Sequence, residues 1–170
     1  MEPEIKDVTS TSFGLLIAYL APGLAGLYTT SFYSPDVRDF LKNAKGAEDF
    51  LLILLAALIV GMLLNGMHFV GLHLLCNKAW GWGWNMAEND FKKLQDAEKL
   101  ACYLAVLSEY YRAHQFFGAM AIVIPFFYFG RGVHSVWYTL GFAVLWTVTT
   151  LASIVSWKYQ VEIGSKVLQG

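Results

Sequence analysis

Charge is scarce in this 170-residue chain: Asp, Glu, Lys and Arg make up 15 %, against the ~25 % usual for soluble domains. Cysteine is scarcer, and two residues cannot build a disulfide scaffold. A formal net charge of −1 supplies no global basic field to draw the chain onto nucleic acid. Enzyme signatures are missing as well. No phosphate-binding glycine loop, GxSxG, HExxH or zinc-type Cys/His spacing occurs. The chain is therefore not expected to be an enzyme or to carry a metal or other cofactor. Apolar surface is what it has in quantity: hydrophobic residues reach 56 % and aromatics 16 %, with a mean hydropathy of +0.47. A soluble domain of this length lacks the interior to hide so much, and disordered chains are poor in aromatics. A single integral membrane domain over 1–170 remains.

The charges are segregated. None occurs from Val8 to Pro35, Phe50 to Asn77, Ala113 to Gly130 or Gly132 to Trp157. Crossing ~30 Å of hydrocarbon at ~1.5 Å per residue takes roughly 20 residues. The expectation is an all-α polytopic bundle of four transmembrane helices, over about 13–32, 50–76, 113–129 and 136–157. The third is at the short limit, where a buried or re-entrant segment is the alternative. The leader MEPEIKDV is acidic where a cleavable signal needs a positive flank, so the first span is read as retained. Pro22-Gly23 lies near its middle and predicts a broken helix there.

Lys and Arg set the direction. Lys6, Lys78, Lys92, Lys93, Lys99, Arg112, Lys158 and Lys166 stand on one side, against Arg38, Lys42, Lys45 and Arg131 on the other. The excess places both termini and the long connection in the cytoplasm. Asn89-Asp90 can cap a helix in that connection, with Phe91, Leu94, Ala97, Ala101 and Leu104 forming an apolar stripe. A cytoplasmic helix over about 89–112 is expected to run directly into span three. Trp80, Trp82 and Trp84 suit an interfacial aromatic belt.

Polar groups inside the spans are the candidate functional residues. Pro22-Gly23 reads either as a hinge lining a cavity or as a packed kink. Asn65 and His68 lie well inside span two, with His73 nearer its cytoplasmic end. The two histidines are about 140° apart at ~100° per residue, so one helix cannot bring both to one metal. Asn65 reads as interhelical glue or as a pore-lining group. Ala57 and Gly61 form a small-xxx-small pair that permits close helix approach. Thr139, Ala143, Thr147, Thr150 and Ser153 form a small, hydroxyl-bearing stripe that can pack or wet a pore. Glu109, Tyr110, Tyr111, Arg112, His114 and Gln115 crowd the entrance of span three, as a snorkelling turn or a gate. His114 is placed at a depth similar to His73, and a haem between His68 or His73 and His114 is geometrically conceivable.

Two stretches, FGLLIAYLAPGLAGLYTTSFYSP (Phe13 to Pro35) and EYYRAHQFFGAM (Glu109 to Met120), carry a resemblance. They resemble a family of small four-span bacterial membrane proteins with an FG…PG…SP first span and a YR..QF element opening a later one. The chain departs from that pattern at His114 and at Gly118-Ala119, where the family more often has Tyr and a small-Asn pair. The resemblance implies an inner-membrane effector in bacterial anti-phage defence. Four spans cannot enclose a wide pore, so a homo-oligomeric ion channel or pore in the lipid bilayer is expected. Pro22, Gly23, Thr30, Asn65, His68, Thr147 and Thr150 are the pore or hinge candidates. His73, Trp82, Lys92, Lys93, Lys99, Glu109, Arg112 and His114 are the gate or ligand candidates on the cytoplasmic side. Basic and aromatic groups there suit an anionic nucleotide or oligonucleotide. The alternatives are a redox subunit holding haem or quinone, and a membrane anchor for a cytosolic partner protein.

Overall fold

A computed structural model describes residues 5–80, 97–132 and 135–169. Among them the chain is all-helical: α1 (Ile5–Thr30), α2 (Pro35–Asn43), α3 (Ala47–Trp80), α4 (Ala97–Arg131) and α5 (Val136–Gln169). Three helices contain stretches long and apolar enough to cross a membrane: Ala47–Gly71, Tyr110–Arg131 and Val136–Gln160. Among the described residues the first expected span gives a shorter apolar stretch, Leu16–Thr30. The cytoplasmic helix expected over 89–112 is described from Ala97 onward, and from there it continues into span three as one 35-residue helix. Its expected start at Asn89-Asp90 lies outside the described residues.

Local chemistry fixes the ends. Ser34 caps α2, its hydroxyl accepting from the Val37 amide at 3.4 Å, with Pro35 at the first helical position. Arg38 then turns back, donating from Nε to the Ser31 carbonyl at 3.0 Å and from Nη2 to the Phe32 carbonyl at 3.3 Å. Gly132, at φ 67°, supplies the left-handed residue that stops α4. Ser135 restarts the chain as α5, accepting from Tyr138 N at 3.3 Å.

Helix α4 is central, packing on α1, α3 and α5, while α1 packs on α3. The interior is small and polar: His114, Ser153 and Gln160 are each 1 % exposed and Ala57 is 0 % exposed. The outer surface is apolar instead. Leu51 and Val144 are each 63 % exposed, and Leu63 is 62 % exposed. Water penalises such a surface and hydrocarbon does not.

The expected break at Pro22-Gly23 is corrected: α1 runs through it as one helix. Proline removes a single amide donor there, and close packing holds the helix on both sides of the gap. A Cβ on Gly23 would fall on the Ala57 carbonyl, and one on Gly61 would fall on the Tyr19 carbonyl. The two helices thus meet backbone to backbone, as the Ala57–Gly61 spacing predicts, at a separation where Cα–H groups touch carbonyl oxygens. Pro125 makes the same kind of gap in α4. The carbonyl four residues before it, Ala121, accepts from the Trp146 indole of α5 at 3.0 Å instead.

The glycine contacts give a direct test. Gly23→Ala and Gly61→Ala should each destabilise the protein by about 1–3 kcal/mol, the usual cost of overpacking, read as the unfolding midpoint in detergent. Gly66→Ala, where a Cβ meets nothing within 4 Å, should leave it unchanged or raise it. Equal effects at all three would refute the close contact.

Candidate functional site

The polar interior gathers where α1, α3, α4 and α5 meet. Asn65 and His68, three apart on α3, share a face. Tyr111, His114 and Gln115 do the same on α4, at i, i+3 and i+4. Helix α5 brings Ser153 and, one turn on, Trp157; α1 brings Tyr19.

Ser153 ties the histidines together. Its hydroxyl lies 3.0 Å from Nε2 of His68 and 3.1 Å from Nδ1 of His114. Nδ1 of His114 is also 3.1 Å from the Ser153 carbonyl. A carbonyl only accepts, so this bond assigns the Nδ1 proton of His114 and leaves Nε2 as a buried atom with no partner. The Ser153 proton is then shared between Nε2 of His68 and the His114 carbonyl at 3.3 Å. The imidazole centroids are 4.6 Å apart, and the His114 ring lies 5.0 Å from that of Trp157. Gly118 makes room: the His68 imidazole occupies the space a side chain there would need.

Beside this cluster is a cavity of about 220 Å³ lined by Tyr19, Met62, Asn65, His68, Tyr111, His114 and Gln115, among others. Gln115 donates from Nε2 to the Tyr19 hydroxyl at 3.0 Å, and Asn65 donates from Nδ2 to the Gly61 carbonyl at 3.1 Å. Each amide nitrogen makes one hydrogen bond with one of its two hydrogens, and neither amide oxygen has a partner. The two oxygens therefore offer acceptors to something that carries protons or positive charge.

Ser153 and His68 have the reach of a nucleophile and its base. Ser153 is 1 % exposed and does not line the cavity, so a substrate has no approach to it. A haem between His68 and His114 is also excluded by the geometry. Rings 4.6 Å apart that share one hydroxyl leave no gap for a macrocycle. Among the described residues no cluster of three His, Cys, Asp or Glu could hold a metal.

The other candidates are dispersed. Pro22 and Gly23 are buried against α3. The hydroxyl of exposed Thr30 bonds the Gly26 carbonyl at 2.9 Å, within its own helix. Thr147 and Thr150 do likewise, at 2.8 Å to Ala143 and 2.8 Å to Trp146. Of that stripe Ser153 alone reaches the histidines. The Arg112 side chain lies against Gly14 of α1. His73, Lys99 and Glu109 are on helices, but their side chains lie outside the described residues, as do Trp82, Lys92 and Lys93 entirely. Sequence reasoning placed Tyr111 and Gln115 beside His114, and their spacing carried that signal. Nothing local marked Tyr19, and Trp157, which by position suits an interfacial belt, is buried beside His114 by the tertiary fold.

No family model, curated protein or solved structure matches this chain.

Ser153→Ala should cost about 1–3 kcal/mol by leaving buried polar groups unpaired. In a double-mutant cycle with His68→Ala the two losses should couple by about 0.5–3 kcal/mol. Strictly additive losses would show that the hydroxyl does not hold the ring.

Proposed function

We infer that this chain is a four-span inner-membrane protein, with α1 as the fourth crossing and both termini in the cytoplasm. It acts as a homo-oligomeric effector that lets ions through the membrane. Helix α1 has 26 residues, or ~39 Å at ~1.5 Å per residue, which is length enough to cross, and it packs along α3 and α4. The observation that carries the conducting reading is the cavity lined by Asn65, His68, His114 and Gln115 inside helices otherwise apolar on the outside. Polar groups at such depth are costly, and where they face a cavity they mark ion and proton paths. The exposed apolar faces of α3 and α5 are available to lipid and to further copies.

The family resemblance supports a role in anti-phage defence, with release triggered through the cytoplasmic segment. Lys92, Lys93 and Lys99 with the nearby tryptophans suit an anionic nucleotide or oligonucleotide as the trigger. Of the positions at which the chain departs from the family pattern, His114 and Gly118-Ala119, His114 and Gly118 seat the histidine pair.

Unrepressed expression should collapse the membrane potential, measured with a potential-sensitive dye. Asn65→Leu, which removes an amide whose oxygen has no partner, should insert normally and largely preserve the potential. A full potential in cells that carry inserted wild-type protein would contradict the conducting reading.

A further inference from the structure

A second site lies at the other end of the bundle. Helix α2 folds back over the end of α1 and the start of α3, enclosing a groove of about 440 Å³. Its walls are Leu24, Leu27, Leu41 and Ile53, and its rim carries Arg38 and Lys42. That volume falls within the ~300–1,000 Å³ of sites that bury most of a small ligand.

Charge and polarity are sorted along this groove. At ~100° per residue, Arg38, Leu41 and Lys42 share one face of α2, Asp36 points away from it, and Asp39 lies about 60° from Lys42 at the edge of that face, outside the groove lining. Arg38 is held by two carbonyls at the end of α1 and keeps the hydrogens of Nη1 unspent. Among the described residues neither Arg38 nor Lys42 is paired with a carboxylate. The apolar wall runs inward along α1 from Ser31 to Leu24. Tyr28, on that wall, and nearby Tyr33 are 53 % and 54 % exposed, as suits tyrosines of a membrane interface.

We propose that this groove binds one anionic phospholipid, its phosphate held by Arg38 and Lys42 and an acyl chain lying against Leu24, Leu27, Leu41 and Ile53. A guanidinium and an ammonium together match a phosphate, and the apolar wall below them matches a chain descending from it. The site rests on the membrane placement inferred above and is independent of conduction.

The test uses delipidated full-length protein in a zwitterionic detergent. Phosphatidylglycerol, phosphatidylcholine and inorganic phosphate are titrated separately, with melting midpoint and native mass spectrometry as readouts. Phosphatidylglycerol should raise the midpoint saturably and appear as a bound adduct, with phosphatidylcholine and phosphate much weaker. Lys42→Gln, at an exposed position, should weaken the effect about fivefold, the worth of one cation at a lipid surface. Leu24→Trp should fill the groove and abolish the adduct. Equal effects of the two lipids would overturn the proposal. So would an equal effect of phosphate alone, or adducts indifferent to Lys42→Gln and Leu24→Trp. A chain that stays in solution without detergent would instead overturn the membrane reading itself.

Discussion

A polar group placed in hydrocarbon finds a partner within the protein or costs several kcal/mol. The architecture is arranged around that constraint. Threonines 29, 30, 147 and 150 return their hydroxyls to carbonyls of their own helices. Asn65 donates back to Gly61. Where Pro125 removes a donor, the Trp146 indole replaces it on Ala121. Just beyond the end of α1, Arg38 takes up the carbonyls of Ser31 and Phe32. The same constraint explains the inverted distribution, with leucines outside and histidine, serine and glutamine inside.

Against that background the junction of α1, α3, α4 and α5 stands out, as does buried Gln160, neither of whose amide atoms has a partner. The junction's groups are satisfied only in part: Ser153 bridges two imidazoles, while the oxygens of Asn65 and Gln115 and one nitrogen of His114 are left over. A bundle built only for packing would bury apolar groups of the same volume at less cost. The unspent acceptors beside a cavity are therefore read as the functional part of the interior, and the glycine-lined contact of α1 with α3 as the frame that holds it.

Three of the four expected spans were legible, because uncharged runs of ~20 residues have few other uses. The close approach at Ala57 and Gly61 was legible too, since small residues four apart leave one face of a helix bare. Pro22-Gly23 misled, because a local rule about a missing amide carries no information about the neighbour that Gly23 admits. The structure sets His114 against His68, while the side chain of His73, expected at a similar depth, lies outside the described residues. The hydroxyl stripe of α5 looked like one surface in sequence. Thr147 and Thr150 bond their own helix, whereas Thr139 reaches the Tyr128 hydroxyl of α4 at 2.8 Å and Ser153 reaches the histidines.

The central claim is that the apolar faces of α3 and α5 lie in lipid around a polar interior. Nitroxides at Leu63→Cys and Val144→Cys, in a Cys76→Ser, Cys102→Ser background in bilayers, measure it by power-saturation spectroscopy. The account predicts strong relaxation by oxygen and weak relaxation by a water-soluble nickel complex at both sites. Relaxation dominated by nickel, as at a water-exposed position, would contradict it.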